Sequence, residues 1–499
     1  MSKLDTNKSS GPDGITNIVL KSAEQTLTPY LVYLYRLSVS LGEIPRDWKL
    51  AQVVPIYKNG DVQQRENYRP VSLISTVCKT LERLILDCLL KYIDERCPIS
   101  DNQFGFRSRR SCSSQLISYV DMISEALDNN LCVDVIYLDQ SKAFDKVSHS
   151  KLIQTLIKRK IPTTLVKWIQ HFLSNRTLTV KIQQLSSPRK VTSGVPQGSI
   201  LGPILFLLYT EEIDTIIQKP ICLFRFADDM KLCYAFDPKN VPQDSIAPLQ
   251  QCLDRLFNWC TEYSLPLNLK KCSTVHFGNT NPRLNYCLQN NELDEHTCER
   301  DLGVIIDEHL TFQSHIDATV KKARRLAGLM FHSTQYHGKE VILPIYKCII
   351  RPVLEYASVV WNPSLIKQIK QLESVQRYVT KRISGCSSLS YTQRLSSLGL
   401  PRLDTRRAFF DLVEMFKVVN GLTVVSNRIK LTFLHHTTRG HSLRIRAVKF
   451  KCNIRKSSFF VRIANTWNTL PARIAETRRL SSFKVSLRKR LFNCVKWSS

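Results

Sequence analysis

Two adjacent carboxylates, Asp228 and Asp229, lie between apolar runs in Cys222-Leu-Phe-Arg-Phe-Ala-Asp-Asp-Met-Lys-Leu-Cys-Tyr-Ala235. Apolar residues on both sides of an acidic pair fit two strands of a hairpin with the pair at its tight turn. Two aspartates held at a sheet edge repel each other and raise at least one pKa unless a cation lies between them. The pattern therefore reads as a divalent-metal site, with an ordinary acidic hairpin turn as the plainer alternative. Upstream, Val135-Ile-Tyr-Leu-Asp-Gln-Ser-Lys-Ala-Phe-Asp-Lys-Val147 carries a third candidate acid, Asp139, where an apolar strand gives way to a helix-like segment. Between them, Ser193-Gly-Val-Pro-Gln-Gly-Ser-Ile-Leu-Gly-Pro-Ile-Leu205 is a Gly/Pro-punctuated loop opening onto an apolar helix.

Composition narrows the setting. With 71 Lys+Arg against 42 Asp+Glu the 499-residue chain carries a formal net charge of +29, which favours a polyanionic partner. Nucleic acid is preferred over an anionic membrane, because no basic amphipathic anchor or lipidation motif is evident. The 43% apolar content is ordinary for a globular chain of two to four domains. Sixteen cysteines are scattered without Cys-x-x-Cys spacing or a zinc-knuckle pattern and without a secretory signal, so reduced intracellular thiols are expected. Nucleus and cytoplasm are not distinguished. The apolar run Ile200–Tyr209 is too short to cross a bilayer and reads as a buried helix.

A strand carrying one Asp, a Pro-Gln-Gly loop with its helix, and a Phe-Ala-Asp-Asp hairpin in this order resemble the palm of reverse transcriptases, with the nearest likeness to the non-LTR, jockey-like retrotransposon enzymes. The resemblance extends to Lys8-Ser-Ser-Gly-Pro-Asp-Gly-Ile15 near the N-terminus, to Gln103-Phe-Gly-Phe-Arg107 and to Asn268-x-x-Lys271 within Leu267-Asn-Leu-Lys-Lys271. It implies an α+β right-handed polymerase of fingers, palm and thumb with a helical, basic C-terminal region. Residues 1–44 form an N-terminal extension, 45–307 the fingers and palm, 308–430 a helical thumb and connection, and 431–499 a basic nucleic-acid-binding region. The implied reaction is RNA-directed DNA synthesis: a primer 3′-hydroxyl is extended with dNTPs on an RNA template, across two Mg²⁺ ions or Mn²⁺ in their place. A catalytically silent, maturase-like RNA-binding protein using the same fold is the rival.

The same resemblance assigns roles. Asp139, Asp228 and Asp229 are the catalytic metal ligands, with the backbone carbonyl of Gln140 beside them, and Lys271 is a candidate proton donor to the leaving pyrophosphate. Lys58 and Arg69 fall where cations meet the incoming triphosphate. Phe144 matches the bulky residue under the sugar that excludes a 2′-hydroxyl, and Gln197 sits against nucleotide and template. Asp145 is expected to be a structural acid. In Gln103-Phe-Gly-Phe-Arg-Ser-Arg-Arg110 the cations Arg107, Arg109 and Arg110 interleave with Phe104 and Phe106, a pattern suited to backbone contact and base stacking on a template strand.

Beyond residue 310 the pattern turns helical and basic. Lys321, Lys322, Arg324 and Arg325 lie opposite an apolar stripe, as a thumb helix beside a duplex requires. Residues 431–499 hold sixteen Lys+Arg and one acid, Glu476, with enough aromatics, such as Phe459, Phe460, Trp467 and Phe492, to expect a small folded module. Expected partners are template RNA, a DNA primer or nicked target DNA, and dNTPs. Met1 lies just upstream of the N-terminal motif, so a separate endonuclease is expected to be needed.

Overall fold

The computed structural model describes residues 1–58, 60–182, 186–240, 248–434 and 440–493. Asn59 of the expected fingers turn, and residues 435–439 and 494–499 of the basic C-terminal stretch, lie outside the described residues.

Alternation and turn chemistry produce eight principal strands: β1 (Leu50–Tyr57), β2 (Tyr68–Leu73), β3 (Cys132–Leu138), β4 (Arg176–Val180), β5 (Arg189–Val191), β6 (Cys222–Phe226), β7 (Asp229–Phe236) and β8 (Ser273–Phe277). They form two main sheets. The first, which the resemblance assigns to the fingers, has the order β2-β1-β4-β5, with β1 and β2 antiparallel and Ile56 opposite Arg69. The second, which it assigns to the palm, has the order β8-β3-β7-β6, extended beyond β8 by the short strand Asp294–Glu295.

All seven residues of β3 are buried. Period-2 geometry explains this, because the two faces of the strand enter two different cores. Val133, Val135 and Tyr137 face a core with the helix Cys112–Asp128, the thumb and the C-terminal helices. Ile136 and Leu138 face a second core with the helices Thr76–Arg96, Gly202–Tyr209 and Pro248–Glu262. The apolar helix after the Pro-Gln-Gly loop thus lies beneath the palm sheet, as its uniformly apolar sequence requires. Among the described residues no helix is long and apolar enough to cross a membrane, and the described cysteines are free.

A hairpin of Cys298–Asp301 and Val304–Asp307 leads into the helix Gln313–Ser333. That helix buries Ile316, Val320, Ala323 and Ala327 and packs beside the helix Ile366–Lys381, where Arg324 reaches Ser374 at 2.8 Å. The cations Lys321, Lys322, Arg324 and Arg325 remain exposed on the other side.

The basic C-terminal stretch is folded, but it does not stand apart. Phe459, Phe460, Ile463, Trp467 and Phe483 share one core with Leu116 and Ile123 of the helix Cys112–Asp128 and with Leu412 and Phe416 of the helix Leu403–Val419. Arg455 makes a buried ion pair with Asp121 at 2.6 Å and also donates to Ser124 Oγ at 3.0 Å. Asp128 accepts the backbone N–H groups of Lys451 and Cys452 at 2.7 and 2.8 Å. The small folded module expected from the aromatics is built into the wall behind the palm sheet. The apolar residues between the cations determine that packing.

Candidate active site

The last pair registered between β3 and β7 is Leu138 with Met230. One step further along both antiparallel strands are Asp139 and Asp229, so pairing alone brings these two acids to the same end of the sheet. The β6–β7 hairpin pairs Phe226 with Asp229, which leaves Ala227 and Asp228 as its two-residue turn. Ala227 is left-handed at φ 58°, the positive φ that a tight strand-compatible turn demands.

Electrostatics couple the three acids. Burial raises the Asp228 carboxyl above the usual range and the charge of Asp139 raises it further, against the opposing pull of Arg69 and Lys58. Asp229 is pushed up to about 6 by burial and by the charges of Asp228, Asp301 and Asp139, with Lys231 opposing. Among the described residues neither Asp228 nor Asp229 has an ion-pair partner; Asp139 has Lys271 at 3.3 Å. Among the described residues no three His, Cys, Asp or Glu side chains stand as a preformed metal cluster. Two adjoining acids, one raised by the charge of Asp139 and the other by those of Asp228, Asp301 and Asp139, without an ion-pair partner among the described residues and reachable at the sheet end, fit divalent cations, which oxygen ligands of this kind bind.

Neighbouring segments complete the cleft. Asn268 N–H donates to Asp139 O at 2.8 Å and Ser141 N–H to Pro266 O at 2.9 Å. The Leu267–Lys271 element is thereby laced to the backbone of the first acid, with the Lys271 side chain largely exposed. Gln140 has a buried side chain, and its amide atoms have no hydrogen-bond partner. That burial leaves the main chain of Gln140, not its side chain, for the expected role.

Phe144 is half-buried, stacked on Phe206 at 4.4 Å and met edge-on by the exposed Phe106 at 6.1 Å. Gln197 donates to Asp145 Oδ1 at 2.8 Å while its carbonyl accepts from Ser72 N–H at 2.8 Å, so its loop bridges the palm and fingers. Asp145 is the structural acid expected. Lys58 and Arg69 are exposed on the β1–β2 hairpin, close enough for their charges to act on Asp228.

The expected template loop needs correction. Phe104 is 1% exposed, and its ring is covered by the Arg110 guanidinium at 4.8 Å. The Arg110 side chain is itself buried and bonded to Asp101 at 2.5 Å. Arg107 donates to Ser100 O at 2.6 Å. These three residues are internal braces, because nearby carbonyls and one acid of the same loop take up their donors. Arg109 remains exposed, although its Nη1 reaches Gly421 O at 3.4 Å.

Two positioning side chains escaped the sequence reading. Glu82, wholly buried, accepts the N–H groups of Ile200 and Leu201 at 2.7 and 3.1 Å and so fixes the exit of the Pro-Gln-Gly loop. Gln103 accepts the N–H of Ala227 at 2.9 Å. A polar residue on the apolar face of a predicted helix was the available signal for Glu82. Gln103 opens the Gln103-Phe-Gly-Phe-Arg107 motif, but nothing local showed that its side chain turns inward to the acidic hairpin.

Residues 56–317 match the family model described as reverse transcriptase (RNA-dependent DNA polymerase). The chain is 29% identical over 418 residues to the RNA-directed DNA polymerase from mobile element jockey of Drosophila melanogaster, covering 81% of this chain and 45% of that protein. It is 28% identical over 395 residues to the probable RNA-directed DNA polymerase from transposon X-element of the same species, covering 77% of this chain and 43% of that protein. The chain thus spans less than half the length of these curated relatives. A more distant similarity, 26% over 278 residues, links it to the retrovirus-related Pol polyprotein from the type-1 retrotransposable element R2 of Popillia japonica, covering 53% of this chain and 37% of that protein.

Proposed function

Because this chain belongs to the reverse transcriptase (RNA-dependent DNA polymerase) family, we propose that it extends a primer 3′-hydroxyl with dNTPs along an RNA template, as the polymerase of a non-LTR retrotransposon. The observation that carries this reading is the strand register that puts Asp139 beside Asp229 with Asp228 at the adjoining turn. Asp139, Asp228 and Asp229 would hold two divalent ions, Mg²⁺ or Mn²⁺. Such ions, when bound, increase the acidity of the attacking hydroxyl and offset charge on the leaving pyrophosphate.

The chain's own residues supply the rest. Lys58 and Arg69 bind the triphosphate from the fingers side, Arg69 through the paired donors of its guanidinium. Phe144, backed by Phe206, forms the floor beneath the sugar, where a 2′-hydroxyl would find neither room nor a hydrogen-bond partner. Gln197, held by Asp145, aligns nucleotide and template. Lys271, beside Asp139, is the candidate donor of a proton to pyrophosphate. Arg109 and the exposed Phe106 meet the template, and Lys321, Lys322, Arg324 and Arg325 meet the duplex backbone. Nicked target DNA as primer belongs to the same reading.

Extension of a DNA primer on a homopolymeric RNA template, with dNTPs and then with NTPs, tests it. Magnesium-dependent incorporation of dNTPs is the expected result. Tight RNA binding without incorporation would identify an RNA-holding protein, and preference for NTPs an RNA-making enzyme.

A further inference from the structure

The Gln103-Phe-Gly-Phe106 segment, read from sequence as a template grip, runs along the palm sheet as an added edge. Phe104 N–H donates to Arg225 O at 2.8 Å, and Arg225 N–H to Asn102 O at 2.9 Å, so the segment pairs in parallel with β6 immediately before the acidic turn. The Gln103 side chain is wholly buried. Its Oε1 accepts two N–H groups, from Ala227 at 2.9 Å and from Gly105 at 2.8 Å, while Nε2 donates to Ala227 O at 3.5 Å. The approach is close enough that a Cβ on Gly105 would fall 2.5 Å from Ala227 N.

We propose that Gln103 is a positioning residue that fixes the peptide preceding Asp228 and thereby sets the direction of the two turn carboxylates toward the metal ions of the proposed polymerase site. Ala227 holds an L residue in the left-handed region, and its N–H points out of the hairpin, where no strand can take it. Gln103 answers both needs. One amide oxygen with two lone pairs takes the Ala227 N–H and the N–H of its own loop, which an apolar side chain cannot do. An acid could accept both, but would add a further negative charge to a site already crowded with them. The same segment ends at Phe106, whose ring meets that of Phe144, so the brace touches both the metal side and the sugar side of the cleft.

This inference rests on the polymerase reading, and its test separates the two. Mn²⁺ binding to the full-length chain without nucleic acid, followed by electron paramagnetic resonance, reports on the carboxylates independently of DNA synthesis. For Gln103→Leu we expect Mn²⁺ affinity to fall several-fold and kcat about 10- to 100-fold, the scale of an ångström-level misplacement. The KM for dNTP and the Kd for primer–template should stay within about twofold. Gln103→Asn, which keeps an amide but is one methylene too short to serve both N–H groups, should lie between wild type and Leu; it is the variant read if Gln103→Leu does not fold. A folded variant with wild-type Mn²⁺ affinity and kcat overturns the proposal. So does a variant that loses primer–template affinity while keeping its metal affinity, because Gln103 would then be a template contact. If wild type binds Mn²⁺ and the variants weaken that binding, yet wild type makes no DNA, the brace stands and the polymerase reading falls.

Discussion

The palm tip and the wall behind it handle charge in opposite ways. At the tip Asp228 and Asp229 are raised by burial and by neighbouring acids, Asp228 by Asp139 and Asp229 by Asp228, Asp301 and Asp139, with no ion-pair partner among the described residues. In the wall, three buried or half-buried acids each meet an arginine: Asp121 meets Arg455, Asp411 meets Arg462 at 3.0 Å, and Glu355 meets Arg406. Charges matched in pairs hold elements together, whereas like charges gathered without partners hold the fold under strain and are useful only toward something not yet bound. On the proposed reading, the difference separates acids that do chemistry from acids that do architecture.

The largest effect should come from breaking the tip. Asp228→Asn is expected to lower DNA synthesis about a thousandfold or more, while RNA affinity, carried by distributed cations, stays nearly unchanged. The metal-free variant should melt no lower than wild type, because a disfavoured charge has been removed. Primer extension and thermal melting on the same preparation check both halves, and a large drop in melting temperature would place Asp228 with the architectural acids. The reverse pattern is expected in the wall. Arg455→Ala leaves Asp121 buried and alone, which should cost about 3–5 kcal/mol in urea unfolding. Arg455→Met combined with Asp121→Leu should recover most of that loss, since an apolar pair needs no counter-charge.

Acid distinguishes the two regions by sign. His315, buried against Trp361, is lowered from 6.5 to about 4 by burial and by the nearby Arg300. The unfolded chain therefore takes up a proton that the folded chain refuses. The contribution is fully present above pH 6.5 and is lost as pH falls toward 4, by about 3 kcal/mol in total. Asp229 runs the other way: its folded pKa of about 6 lies above the ordinary 3.8, so in the metal-free protein acid relieves rather than weakens that site. Urea titrations between pH 4 and 7 should show wild type losing stability toward acid and His315→Gln flattening that loss. An unchanged slope would remove His315 as its source. The smallest effect concerns Phe144, which packs on Phe206 of the second core. Phe144→Val should raise NTP incorporation relative to dNTP about 10- to 100-fold, the worth of one unmet buried hydroxyl. An unchanged ratio would assign the ring to the Phe206 core alone.

What the sequence disclosed was local. Strand alternation and the tight turn around Asp228 need only a dozen consecutive residues, and the Asp139 strand reads the same way. The inward turn of Phe104 and Arg110 was hidden, because a Gly-containing loop rich in Arg and Phe has the same composition whether it faces RNA or folds onto Asp101. Glu82 and Gln103 act on backbone groups 118 and 124 residues away, a distance no periodicity spans. The packing of the C-terminal stretch was hidden for a related reason. Its charge was countable, but the partner of Arg455 lies 334 residues earlier.

That long separation bears on how the chain is made. The face of the helix Cys112–Asp128 that carries Asp121 is covered only when Arg455 and the helix Phe459–Asn468 arrive. At roughly 5–20 residues per second, 334 residues of further synthesis leave it bare for about 20–70 s. Throughout that interval the nascent palm presents an apolar flank with a buried-type acid at its centre, a surface that a chaperone would hold and that a ribosome stalled before residue 455 would leave open.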